Sequence, residues 1–483
     1  MADLTLDTLI DDGNYLGSER ARLENKILLD ELERKKKARS LAVPTDDAKV
    51  KARLREIGEP ITLFGERAAD RRDRLIYVLS QINAARGEDA MQVDEEESSE
   101  ESEEEVEEFY TPGSLELLEA RRRIAEYSLP RAQKRVAQQR LDSKIPLGRI
   151  IDIRKKIFAE VRRFAELGSQ IGDDRPISQV RFSPNSQILA TGSWSGNVKL
   201  WNIPNCTPIR TLRGHTDRVG GVAWHPQATL AQSEDAVNLV SGAGDMSVNL
   251  WSFNSETPLS VMKGHADRIC RVAFHPSGDY VASASFDTSW RLWDVATSKE
   301  LLLQEGHSKE VYSVEFQEDG ALVASGGLDA IGRVWDLRTG RTAMVLDGHV
   351  QGIFSIAFSP NGYQIATGSG DDTIRIWDMR SLKALYTIPG HLSNVADTLD
   401  TDDKTGAQEA EERKYRSGLY MASAGYDGLV KIWSADDWQL LRTLPTDGGK
   451  VMSVDLSNDG KYLASGTYTR NFQMFAPDES VAV

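Results

Sequence analysis

The chain holds 483 residues, 40% of them hydrophobic, with ten tryptophans and a net charge of −16. That length exceeds one ordinary domain, and the acidic balance argues against general nucleic-acid binding unless the charge is unevenly placed. Two cysteines, no basic apolar leader in MADLTLDTLI and no run approaching about eighteen apolar residues exclude a disulfide scaffold, a secretory signal and a membrane span, so a soluble intracellular protein is expected.

Five segments follow in chain order. Residues 1–43 contain a helix over Ser18–Arg39 that ends in RKKKARS, a basic run of the nuclear-import type. Residues 44–84 read as two short helices. The first has Thr45 or Asp46 as N-cap, Val50, Leu54 and Ile57 along one face, and Gly58 as its stop before Pro60. The second spans about Glu66 to Ile82. Leu75, Leu79 and Ile82 form its apolar stripe, bordered by Arg67, Arg71 and Arg74, with Phe64 in the turn before it. Two such helices make a marginal unit suited to docking on a partner.

Residues 85–110 form an acidic linker, because eleven of the fifteen residues from Asp94 to Glu108 are acidic and cannot bury apolar surface. Ser98, Ser99 and Ser102 lie among those acids as candidate phosphorylation sites. Residues 111–163 reverse the balance. Fourteen cations face four acids from Arg121 onward: Arg121, Arg122, Arg123, Arg131, Lys134, Arg135, Arg140, Lys144, Arg149, Arg154, Lys155, Lys156, Arg162 and Arg163. Ile150, Ile153, Ile157 and Val161 recur at helical spacing, so basic amphipathic helices are expected, broken at Pro130 and Pro146. A stripe this basic suits RNA phosphates, which position a protein without specifying sequence. The alternative is a solvated helix face, or one docked on the remainder of the chain, where 27 basic residues meet 38 acidic ones from Ile171 onward.

Residues 164–483 repeat. An aromatic closes each unit at Trp201, Trp251, Trp293, Trp335, Trp377, Trp433 and Phe475, in steps of 50, 42, 42, 42, 56 and 42 residues. Apolar alternation at period two between Gly, Pro and Asp turns marks short antiparallel strands. Polar insertions near Gln227–Val237 and Thr398–Gly418 read as surface loops. Five Gly-His pairs open units and Trp-Asp pairs close several of them, which resembles the WD40 repeat family. His265, Ser283, Asp287 and Trp293 fall at offsets repeated by His307, Ser325, Asp329, Trp335 and by His349, Thr367, Asp371, Trp377. In that family these four residues form a hydrogen-bonded chain, which suits burial.

The resemblance implies a seven-bladed β-propeller preceded by a mostly helical or unstructured region. The first and last units depart from it: Asp173 and Asp447 replace the histidine, and Ser195 and Thr469 the aspartate. The last unit lacks a fourth strand, which ELGSQIG ahead of the first repeat is expected to supply, closing the ring and removing free strand edges. All seven histidines occupy repeat positions, and the glycine-rich turns precede no lysine and open no helix, so catalysis, metal ligation and nucleotide binding have no positive support. By family likeness, the residue before each turn aspartate points to one rim: Trp194, Gly244, Phe286, Leu328, Gly370, Tyr426 and Tyr468, with Arg218 and Arg268 nearby. That mixture resembles a protein-binding patch, or else ordinary rim packing. Trp290 reads as core.

LREIGEPITLFGERAADRRDRL is similar to the splicing factor motif of pre-mRNA processing factors, and ahead of a propeller it resembles the pre-mRNA processing factor four family. The resemblance implies a non-enzymatic, nuclear scaffold subunit of the U4/U6 and U4/U6·U5 small nuclear ribonucleoproteins, with no cofactor. Its implied partners are U4/U6 RNA, pre-mRNA processing factor three, other tri-snRNP proteins and a cyclophilin-type prolyl isomerase. Two other classes stay open. RVWDLR and IRIWDMR, with Arg338 and Arg380, resemble the WD-x-Arg box of cullin-type ubiquitin ligase receptors. A G-protein-β-like scaffold shares the propeller but lacks the FGE motif and the acidic-then-basic linker.

Overall fold

The computed structural model describes residues 47–61, 70–72, 74–79, 113–400 and 418–478. The Ser18–Arg39 helix with RKKKARS, Phe64, Arg67, the acidic run, its three serines and most of the second insertion (401–417) lie outside them. The chain divides into two compact units, Met1–Thr111 and Pro112–Val483.

In the first unit, α1 (Asp47–Ile57) ends where the Gly58 and Glu59 amides bond back to the Arg55 and Leu54 carbonyls at 3.1 and 3.0 Å. Residues 70–72 and 74–79 are also helical. Val50, Leu54 and Leu75 are fully buried against one another, with Ile57 and Leu79 packed on them. The stripe read from the sequence is thus the seam between two helices, a core of about three side chains.

In the second unit, seven four-stranded antiparallel sheets stand around a channel, as the repeat count implies. Blades 1 to 6 span 177–213, 219–263, 269–304, 311–347, 353–389 and 395–445. Blade 7 pairs Val451–Leu456, Leu463–Thr467 and Asn471–Pro477 with the strand Phe164–Ile171, in the order that closes the ring. Phe164 lies opposite Pro477 and Ile171 opposite Asn471, with a bulge between Glu166 and Gly168. Closure by ELGSQIG is therefore observed. Apolar faces of neighbouring sheets interdigitate into cores, and Trp290 is buried in one of them beside Trp335, ring centroids 6.2 Å apart.

Two helices precede the closing strand. Ser114 caps α2 (Leu115–Asp142) by accepting from the Leu117 amide at 3.2 Å. The expected break at Pro130 does not occur: α2 runs through it. Interior proline costs about 3 kcal/mol, and packing on the propeller offsets that cost. Leu117, Ala120, Ile124 and Ser128 are buried before the proline, and polar ties to the propeller follow it. Pro146 does end the run, standing at the N-cap of α3 (Leu147–Arg162). Ile157 and Val161 of α3 are buried against Tyr420, Leu456, Leu463 and Phe475 of blades 6 and 7.

Candidate interaction surfaces

Five of the seven histidines are accounted for by the repeat tetrads. Trp293 Nε1 donates to Ser283 Oγ at 2.8 Å, which leaves the hydroxyl proton for His265 Nε2 at 2.6 Å. The ring must then carry its own proton on Nδ1, donated to Asp287 at 2.7 Å. His307 with Ser325, Asp329 and Trp335, and His349 with Thr367, Asp371 and Trp377, repeat the chain. So do two units of irregular spacing, through His215, Ser241, Asp245, Trp251 and His391, Ser423, Asp427, Trp433. Burial lowers the pKa of His307, His349 and His391, so they stay neutral. Burial works to raise the Asp287 carboxyl, yet hydrogen bonds from His265 and Ser289 carry it well below the usual carboxylate range. Blade 1 exchanges the roles: Ser195 donates to Asp173, and Lys199 stands 3.1 Å from the same carboxylate. These groups satisfy one another and leave no reactive arrangement.

The rim is built by one backbone bond repeated in every blade. The residue before the turn aspartate donates its amide to the carbonyl of the residue three past the histidine position: Trp194 to Pro176, Gly244 to Arg218, Phe286 to Arg268, Leu328 to Glu310, Gly370 to Gly352, Tyr426 to Asn394 and Tyr468 to Lys450. Along this rim a cation stacks on the aromatic of its own blade, as in blade 3, or on that of the preceding blade. Arg268 lies 3.7 Å over the Phe286 ring, Arg218 5.4 Å from the Trp194 centroid and Lys450 5.2 Å from that of Tyr426. Trp194 meets Tyr468 edge-on at 5.6 Å across the seam of blades 1 and 7. Such cation–aromatic stacks are worth about 0.5–1 kcal/mol each where exposed. Here they hold the cations flat along an arc from blade 6 through blade 3, with Tyr468 47% exposed. Lys450 was missed in the sequence, although it stands three residues after Asp447 as Arg218 and Arg268 do after their histidines.

The fourteen cations of the basic segment separate into two groups. Arg135 donates Nε to Asp319 at 2.7 Å and Nη1 to the Asn361 carbonyl at 3.1 Å, and Gln139 donates to that same carbonyl. Arg154 pairs with Asp436 at 2.7 Å, Arg131 lies 4.8 Å over Tyr127, and the Tyr127 hydroxyl donates to the Pro276 carbonyl. Arg121 lies over the Gly340 turn. These four cations face the propeller side, and Arg123 stands beside Tyr280 of blade 3. Arg122, Arg123, Lys134, Arg140, Lys144, Arg149, Lys155, Lys156, Arg162 and Arg163 are exposed. On α3, Arg149, Lys156 and Arg163 recur every seven residues, about 10.5 Å apart at 1.5 Å per residue, with Lys155 and Arg162 alongside. That outward face is opposite the buried Ile157 and Val161.

In the first unit, Leu75 is core rather than surface, Leu79 packs beside it, Arg71 is buried, and Arg74 reaches the Ile61 carbonyl at 3.5 Å. In the WD-x-Arg boxes, Arg338 and Arg380 fork onto Asp336 and Asp378 of their own turns, and Arg380 also stacks 3.5 Å over Tyr363.

Residues 50–78 match the family described as pre-mRNA processing factor 4 (PRP4) like. WD domain, G-beta repeat matches cover 165–202, 206–252, 256–294, 298–336, 340–378 and 438–475, leaving out the blade that carries the 401–417 insertion. The chain is 46% identical over 217 residues to U4/U6 small nuclear ribonucleoprotein Prp4 of Mus musculus, covering 44% of this chain and 41% of that protein. It is 32% identical over 200 residues to U4/U6 small nuclear ribonucleoprotein PRP4 of Saccharomyces cerevisiae, covering 38% and 40%. An uncharacterized WD repeat-containing protein of Schizosaccharomyces pombe is 45% identical over 272 residues, covering 56% and 58%. The match spans about two-fifths of the length of the Prp4 relatives (41% for the mouse protein). The chain is a WD40-repeat protein that carries the PRP4-like motif of pre-mRNA processing factors ahead of its propeller.

Proposed function

We propose that this protein is a non-enzymatic scaffold subunit of the U4/U6 small nuclear ribonucleoprotein, acting in the nucleus in pre-mRNA splicing. The observation that carries the reading is the pairing of the PRP4-like motif with a seven-bladed propeller, in a chain similar to proteins named for that particle. WD40 repeats alone serve many functions, so the pairing matters more than either part.

Two surfaces divide the work. The outward face of α3, with Lys144 at its approach, contacts RNA phosphate: its cations are exposed, evenly spaced and carry no aromatic platform for stacking bases. The cation–aromatic arc of the rim holds a protein neighbour, since aromatics and arginines concentrate binding energy at such faces. Pre-mRNA processing factor three, other tri-snRNP proteins and a cyclophilin-type prolyl isomerase are the neighbours to test. Sequencing the RNA retained by the intact protein tests the whole reading. Enrichment of U4 and U6 RNA is expected, and a profile without either overturns it.

A further inference from the structure

Inside the channel, Arg181, Asp397 and Asp455 meet where the first and last blades close the ring. Asp397 of blade 6 accepts from Ser453 Oγ at 2.8 Å and the Val454 amide at 3.3 Å, both on blade 7. Asp455 of blade 7 accepts from the Phe182 amide of blade 1 at 2.5 Å. Arg181 of blade 1 reaches back: Nη1 stands 3.5 Å from Asp455 and 3.6 Å from Asp397, and donates to the Val454 carbonyl at 3.2 Å. Three consecutive blades are thus joined through one guanidinium and two buried carboxylates. Glu315 of blade 4 and Arg271 of blade 3 face the same cavity, with Arg131 and Glu318 also in its lining. Arg271 keeps its charge but donates to the Gly220 and Cys270 carbonyls rather than to either carboxylate.

We propose that this cluster is a proton-operated clasp on the seam of the ring. With a proton held on Asp455, the guanidinium balances the Asp397 charge and draws blades 6, 7 and 1 together. When the proton leaves, two like charges stand against one cation in a largely desolvated cluster, and the seam loosens. Burial is the main cause that pushes the Asp455 carboxyl up to about 7, with Asp397 adding to it and Arg181 and the Phe182 amide opposing.

The sign follows from which state binds the proton. Asp455 has an ordinary value of 3.8 and a folded value of about 7. Between those two the folded chain holds more protons than the unfolded one, so stability falls as pH rises through the window and levels off above it. The Trp194–Tyr468 contact crosses the same seam at the rim, so a looser clasp also loosens that end of the arc.

The test is thermal unfolding of the full chain and of Asp455→Asn at about pH 5 and about pH 8. The buried histidines, with lowered pKa, favour the folded chain as pH rises and act alike in both proteins. The readout is therefore the difference: the melting temperature of wild type relative to the variant is expected to fall by several degrees from the lower pH to the higher. An identical pH dependence in both overturns the clasp. Carbon-13 titration of the wild-type carboxyls keeps the question open to refutation even where the variant fails to fold. One aspartate with a midpoint near neutrality is expected; every aspartate titrating below about pH 5 overturns the proposal.

Discussion

Arg135 of the basic helix and Asp319 of blade 4 form an ion pair at 2.7 Å, the carboxylate side chain only 7% exposed and the arginine 22%. A cation that reads in the sequence as a phosphate contact is instead a rivet between helix and propeller. Arg135→Ala leaves the buried carboxylate unpaired. Breaking a fully buried pair costs about 3–5 kcal/mol, and this pair keeps some access to water, so about 2 kcal/mol of stability should be lost. Denaturant unfolding measures it, and adding Asp319→Ala should restore part. RNA retention should not change beyond that loss of stability.

Glutamate at Lys155, Lys156, Arg162 and Arg163 should do the reverse. Those side chains are exposed on α3, so the melting temperature should hold within a degree or two. RNA retention should fall, and the slope of log affinity against log salt should flatten by about 0.7–0.9 for each phosphate contact removed. A salt titration with duplex U4/U6 RNA checks both, and an unchanged slope would remove α3 from the interface.

Gly362→Ala should undo the helix docking from the other side. Gly362 has φ of +74°, and a Cβ there would stand 2.6 Å from Arg135 Nε. Strain and displacement together should cost about 1–3 kcal/mol. Amide exchange should rise in the C-terminal half of α2, while the inner strand Val311–Phe316 stays protected.

Ser325→Ala should cost about 1–3 kcal/mol, the range for stranding a buried polar group. The hydroxyl accepts from Trp335 at 2.9 Å and stands 2.8 Å from His307 Nε2, so both lose a partner at once. Ser325→Thr should recover most of it, since blade 5 places Thr367 at that position.

Acid should weaken the tetrads in a window set by their carboxylates. Burial alone would raise Asp371, but bonds from Thr373, Val350 and His349 carry it from 3.8 to about 2. The folded chain therefore binds this proton less tightly than the unfolded one. Its stabilisation is whole above the unfolded value and is lost as pH falls through the folded one. Melts from about pH 5 down to pH 2 should drop less steeply in Asp371→Asn.

The propeller was legible because each blade states its pattern again: the 42-residue period, the tetrad offsets and the rim positions all survive into the structure. The closing strand was legible for a simpler reason, since a unit that ends at Phe475 needs a fourth strand from elsewhere. What the sequence could not convey was direction. Arg121, Arg131, Arg135 and Arg154 have the same chemistry as Lys155 and Arg162, and only the packed helix decides which of them meet acids or aromatics. Pro130 misled for a related reason, because local preference ends a helix there and tertiary contacts on both sides carry it through. Leu75 was read as a docking residue, although the two short helices of its unit already cover it.

The closing strand also sets an order of events. Glu166 and Gln473 bond to each other across 307 positions of chain. As the protein emerges during synthesis, the strand Phe164–Ile171 is among the first pieces of the ring to appear, and Asn471–Pro477 the last. Six blades can form from neighbouring segments while the first strand waits with an open edge. The ring thus depends on its two ends finding each other, a step that the long separation in sequence makes slow, and α3, just ahead of the early strand, packs on the same blades 6 and 7 where the late one pairs.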